Sequence, residues 1–147
     1  MLLLPASHVG AQTRKETSLG YSFMRVDGIN LPAGWNVSFA RGGGAMKGVV
    51  DLTGQTTKDD DGVLVFQGGV RFGPLRPGRV RPFGQALFGV ASVGISAAWI
   101  AQLGVGLDIP TRAGAPTLRL GLDLPVYFGD NGRFSGLRAT AGIVVSR

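Results

Sequence analysis

The chain has 147 residues with 25 glycines, no cysteine and a formal net charge of +6, which suits a single domain without disulfides or thiolate metal sites. Its 15 Lys and Arg residues lie singly among apolar stretches rather than along one stripe, so nucleic acid is not an expected partner. No apolar run is long enough for a membrane helix, but a membrane strand needs only about 9–11 alternating residues.

The chain opens on Leu2-Leu3-Leu4 and reaches Val9-Gly10-Ala11 before Gln12. An apolar patch ending in small residues is the pattern of a secretory signal near its cleavage site. Residues 1–11 are therefore expected to be a partial signal peptide, and residues 12–147 the mature domain.

Eight strands are expected: Thr17–Val26, Trp35–Arg41, Ala45–Thr53, Val63–Gly73, Val80–Ser92, Ala97–Ile109, Thr117–Phe128 and Ser135–Ser146. Turn chemistry separates them, at Asp27-Gly28, Gly42-Gly43-Gly44, Lys58 to Gly62, Pro74 to Gly78, Val93 to Ser96, Thr111 to Pro116 and Gly129 to Gly132. Short, regularly spaced strands mean a sandwich or a barrel, and an even count joined by hairpins favours an up-and-down barrel.

Successive side chains of a strand point to opposite faces. In the first strand, Leu19, Tyr21 and Phe23 oppose Gly20 and Ser22, and Arg25 breaks the apolar face. The second sets Trp35, Val37 and Phe39 against Asn36 and Ser38; the third sets Met46, Val50 and Leu52 against Lys47, Asp51 and Thr53. The fourth opposes Leu64, Phe66, Val70 and Phe72 to Gln67 and Arg71. The fifth is apolar on both sides apart from Gln85, so its faces are ambiguous. The sixth sets Trp99, Leu103, Val105 and Leu107 against Gln102 and Asp108. The seventh alternates without a break, Leu118, Leu120, Leu122, Leu124, Val126 and Phe128 against Arg119, Gly121, Asp123, Pro125 and Tyr127. The eighth opposes Leu137, Ala139, Ala141, Ile143 and Val145 to Arg138 and Thr140.

Such strands fit a soluble sheet with its apolar side inward, or a membrane barrel with that side in lipid. The glycines on the polar side decide: Gly20, Gly69, Gly104, Gly106, Gly121 and Gly142. On a water-facing surface they would only cost stability. Inside an eight-stranded barrel, just wide enough for side chains, they leave room for long arginines. The expected fold is thus all-β, an eight-stranded antiparallel up-and-down transmembrane β-barrel. Lys47, Asp51, Arg71, Arg119, Asp123 and Arg138 are expected to form a lumenal charge network, paired because a lone buried charge is costly. Trp35, Trp99 and Phe128 are expected at one membrane interface, and Phe72 and Phe83 at the other. Acidic loops (Asp27, Asp59, Asp60, Asp61, Asp130) would share the first end, and Arg41, Arg76, Arg79 and Arg112 the second.

Several stretches resemble the outer-membrane β-barrel superfamily typified by the OmpA transmembrane domain. They are Leu19-Gly20-Tyr21-Ser22-Phe23 with Asp27-Gly28 and Gly34-Trp35-Asn36, Arg81-Pro82-Phe83-Gly84-Gln85, Ala101-Gln102-Leu103-Gly104-Val105-Gly106 and Leu137-Arg138-Ala139-Thr140-Ala141-Gly142. The resemblance implies a Gram-negative-type cell outer membrane, outer-membrane lipids and the barrel-assembly machinery as partners, and a monomer.

Catalysis is not expected. The only histidine, His8, falls in the signal stretch, so a histidine-based nucleophile system is missing from residues 12–147. Asp59-Asp60-Asp61-Gly62 lacks the spaced ligands of a calcium loop. Gly104-Val105-Gly106 lies within a strand, with no helix to receive a phosphate. Asp51, Asp108 and Asp123 share faces with arginines, which favours structural ion pairs. No metal or cofactor is therefore expected. The expected function is a structural or membrane-integrity role with a plugged lumen and at most a narrow pore. The alternative is a soluble lipocalin-like barrel with its apolar faces turned inward on a hydrophobic ligand.

Overall fold

The computed structural model describes residues 13–56, 62–73, 79–130 and 132–147. Residues 1–11, expected to be a partial signal peptide, the acidic Asp59, Asp60 and Asp61, and Arg76 lie outside these residues. The chain runs β1 (Arg14–Val26), β2 (Ile29–Leu31), β3 (Ala33–Gly43), β4 (Met46–Thr56), β5 (Gly62–Phe72), β6 (Arg81–Val93), β7 (Ser96–Pro110), β8 (Thr117–Gly129) and β9 (Gly132–Ser146). Every strand pairs antiparallel with its neighbours, and β9 returns to β1 through the ladder Glu16↔Ser146 to Val26↔Gly136. The β1–β9 ladder closes the sheet, so along the staves the backbone groups are satisfied by neighbouring strands.

Nine labelled strands make eight staves, because β2 and β3 both pair with β1 on one side. Between the pairs Tyr21↔Trp35 and Met24↔Leu31, β1 advances three residues and its partner four. One residue is thus bulged out around Pro32, whose ring nitrogen cannot donate to a ladder. Pro125 has a related effect in β8, where pairing with β9 lapses between Asp123↔Arg138 and Val126↔Ser135.

The tight connections follow their turn chemistry. Asp27 and Gly28 close β1 onto β2 with φ of 47° and 80°, as a two-residue type I′ turn requires. Asp27-Gly28, Gly94-Ile95 and Asp130 lie at one end, termed here the hairpin end. The other, terminal end holds Gly44-Ala45, Gly73, residues 79–80 and 111–116, and the start of β1 and end of β9. There Lys15 and Arg147 exchange backbone hydrogen bonds of 3.0 and 2.9 Å.

The barrel is turned inside out relative to a soluble one. The outward face carries Leu103, Val105 and Leu124, exposed by 67%, 62% and 59%. Inward positions hold Gln67 at 0%, Asp123 at 1% and Arg138 at 1% exposure. This overturns the lipocalin-like alternative: the long apolar faces point away from the lumen, and charged side chains lie inside it. Arg25, which interrupts the apolar face of β1, is outward and exposed two residues from the Asp27 turn. At that edge its long side chain can reach water.

Candidate functional site

The interior charges come from six of the eight staves and meet because every inward residue shares its strand's parity. Arg138 of β9 lies at the centre. It contacts Asp51 Oδ1 across the lumen at 3.2 Å and Asp123 Oδ2 on the neighbouring strand at 3.0 Å. It also donates to Thr53 Oγ1 at 2.7 Å. Asn36 donates to Asp51 Oδ2 at 2.8 Å and to Thr53 at 2.9 Å, filling the remaining side of that carboxylate.

From Asp123 the network continues toward the terminal end. Gln85 donates to Asp123 Oδ1 at 2.8 Å and accepts from Arg71 Nη2 at 2.9 Å. Arg71 Nη1 stands 3.9 Å from Glu16, which also pairs with Lys47 and, at 3.3 Å, with Arg119. Arg119 grips Asp108 with two bonds of 2.6 Å, the parallel geometry that suits a guanidinium fork. Among the described residues four cations (Lys47, Arg71, Arg119, Arg138) meet four carboxylates (Glu16, Asp51, Asp108, Asp123) in this one network. A balanced, multiply hydrogen-bonded set is the arrangement in which buried charge is tolerated.

Lys47, Asp51, Arg71, Arg119, Asp123 and Arg138 are all buried inside the barrel and joined to one another through it. Sequence reasoning missed Glu16, because the expected first strand starts at Thr17, three residues after β1 begins. The parity of Ser18, Gly20 and Ser22 reaches it directly. Asp108 and Gln85 were noticed as polar but not placed in the network, and they connect its parts.

The interface aromatics divide differently from expectation at one position. Trp35, Trp99, Phe72 and Phe128 are outward and 41–57% exposed. Trp99 pairs with Phe128 and stacks on Phe88 at 5.5 Å, near the hairpin end, while Phe72 pairs with Met46 at the terminal end. Phe83 does not face outward. It is 6% exposed and lies inside, with the guanidiniums of Arg71 and Arg119 each 4.9 Å from its ring centre. The physical reason is parity. Phe83 lies on the Gln85 face of β6, a strand whose two apolar sides hid the alternation. Gly106 makes the room, since a Cβ there would strike the ring of Phe83. Gly104 does the same for Asp123 Oδ1, and Gly121 for Thr140.

No protein-family model and no curated protein matches the chain. Solved structures do. The crystal structure of Neisserial surface protein A superposes with a TM-score of 0.68 at 11% identity, covering 90% of this chain and 96% of that one. The N-terminal β-barrel domain of Pseudomonas aeruginosa OprF gives 0.63 at 13% identity, with 91% and 100% covered. This chain has the fold of the small outer-membrane β-barrels. A third structure, the Yersinia pestis outer membrane protein Ail in a phospholipid bilayer nanodisc, gives 0.54 at 13% identity, with 91% and 100% covered. In an outer-membrane barrel fold the outward apolar band is the lipid-contacting surface, and the interior is polar. Here the outward band is apolar, and the middle and terminal end of the interior are polar.

Proposed function

We propose that this protein is a structural barrel of the outer membrane of a Gram-negative-type bacterium, acting as a monomeric membrane-integrity element. The observation that carries the reading is the continuous network from Asp51 through Arg138, Asp123, Gln85 and Arg71 to Glu16, which crosses the lumen. Side chains tied by several charge-assisted bonds leave no continuous water column, so the barrel conducts weakly or not at all. Outer-membrane lipids would cover the apolar band, with Trp35, Trp99 and Phe128 at one headgroup level and Phe72 at the other. Arg41, Arg79 and Arg112, toward the terminal end, suit lipid phosphates, with the termini on the periplasmic side. Insertion would be the work of the barrel-assembly machinery. The role is structural rather than catalytic: the charged interior is committed to pairing, and His8 is the only histidine in the chain.

Planar-bilayer recording tests the plug. The unmodified protein is expected to show no resolved conductance steps. The double substitution Arg138→Ala with Asp123→Ala, which removes both a central cation and its carboxylate, is expected to open a measurable cation or anion leak. A large steady conductance from the unmodified protein would sink the plugged reading.

A further inference from the structure

The charges of the lumen are unevenly placed along its axis. In the middle, Arg138 faces two carboxylates, Asp51 and Asp123. At the terminal end the buried Lys47, Arg71 and Arg119 share Glu16 and Asp108, a surplus of one positive charge. These five side chains border a polar cavity of about 40 Å³, and Arg14 and Arg81 add two more cations to its lining. The hydroxyl of Ser146, also on the lining, is a further donor. Lys47 and Arg71 stand directly opposite each other in the β4–β5 ladder, a placement of like charges that costs stability. Residues 1–12 and 74–78, the nearest stretches of sequence outside the described residues, contain no Asp or Glu to offset the surplus.

Two donors at this end are unsatisfied. Arg71 and Arg119 are 4% and 7% exposed, yet among the described residues neither Nη1 has a hydrogen-bond partner. Arg71 Nη1 stands 3.9 Å from Glu16, too far for a hydrogen bond. Both guanidiniums flank the ring of Phe83, which also borders the cavity. A charged donor buried without an acceptor is costly. Water would accept its hydrogen but leave the surplus charge, whereas an anion accepts and neutralises. The volume limits its size, since one water needs about 10–15 Å³ and a small-molecule site about 300–1,000 Å³. The surplus of one among the buried walls sets its valence. We propose that the terminal end of the lumen binds a single small monovalent inorganic anion, of the size of chloride, at Arg71 Nη1 and Arg119 Nη1. This goes beyond the structural role and leaves the central pairs of Arg138 intact.

The arginines themselves provide the test. The Nε–H groups of Arg71, Arg119 and Arg138 donate to Gln85, Asp108 and Asp123, which protects them from exchange with water and keeps them visible by NMR. The full chain, isotope-labelled at arginine nitrogen and held in phosphatidylcholine nanodiscs, is titrated with sodium chloride replacing sodium gluconate at constant ionic strength. Gluconate is too large for the cavity. The expected result is a saturable shift of Arg71 and Arg119, half complete below about 0.15 M chloride, the physiological ionic strength, with Arg138 unmoved. Arg71→Gln removes one donor and the surplus charge together, and should raise the Arg119 midpoint about tenfold or more, the scale of one charged hydrogen bond. Arg81→Gln, at the half-buried rim, should raise it about two- to fivefold. If Arg71→Gln fails to fold, the rim variant still decides the matter. A linear drift of both signals, a midpoint above that concentration, or an unchanged midpoint in either variant overturns the proposal.

Discussion

Arg138 shows how much one residue can hold. Its side chain bridges Asp51 and Asp123, which come from strands far apart in sequence, and it is 1% exposed. Removing one partner of a buried ionic set costs about 3–5 kcal/mol, because the opposite charge is left unpaired in a low dielectric. Arg138→Gln is therefore expected to lower stability by about that amount, read as a reduced urea midpoint for unfolding from lipid vesicles. A change below about 1 kcal/mol, the size of an exposed pair, would mean that water screens the site. Phe83 teaches the opposite lesson at the same scale. A phenylalanine in a membrane-type strand invites a lipid-facing assignment, yet its ring fills the space between two arginines. The decisive clue was its neighbour two positions on, Gln85, the single polar residue in an otherwise apolar run.

At the level of the strand, legibility depended on contrast. β8 alternates leucine with polar or small residues over its whole length, and its faces were clear from the sequence. β6 offers Phe83, Leu87 and Ala91 inward and Phe88 and Val90 outward, all apolar. Alternation carries no information when both sides are apolar, so only pairing with β5 and β7 fixes the faces. The outward face of β8 also supplies a test of the surrounding solvent. Leu122 lies at mid-strand and is 48% exposed. If that face meets lipid, Leu122→Arg costs about 2–4 kcal/mol, whereas the same change near a membrane interface costs about 0–1 kcal/mol. Substituting Val145 near the terminal end provides the comparison, with both measured by chemical unfolding in vesicles. Equal, small effects at both positions would place the face in water.

At the scale of the whole molecule, closure is the dominant fact. The β1–β9 ladder turns a row of hairpins into a cylinder, and only then do the inward residues of β1, β4, β8 and β9 come within bonding distance. The closed wall presents a broad apolar surface, larger than the patches of a few hundred Å² typical of soluble monomers. Folding is accordingly expected to require detergent or lipid, with the folded form migrating differently from the boiled form on a gel. Circular dichroism should show β structure only in the folded form. A monomer folded in plain buffer would contradict the lipid-facing reading of the outer wall.

The sequence by itself determined the strand count, the hairpin order and, wherever polarity alternated, which residues share a face, because those properties depend on local geometry and a period of two. It also placed Lys47, Asp51, Arg71, Arg119, Asp123 and Arg138 on polar faces. The tertiary structure decided who meets whom. Stagger around the cylinder carries Asp51 of β4 to Arg138 of β9, and one turn of parity in β6 sends Phe83 inward. It also divided the lumen into a charged part and an apolar mouth, although Met24, Val65 and Ile100 carry no local mark of that division. Contacts across a closed barrel depend on shear and register, which no single strand encodes.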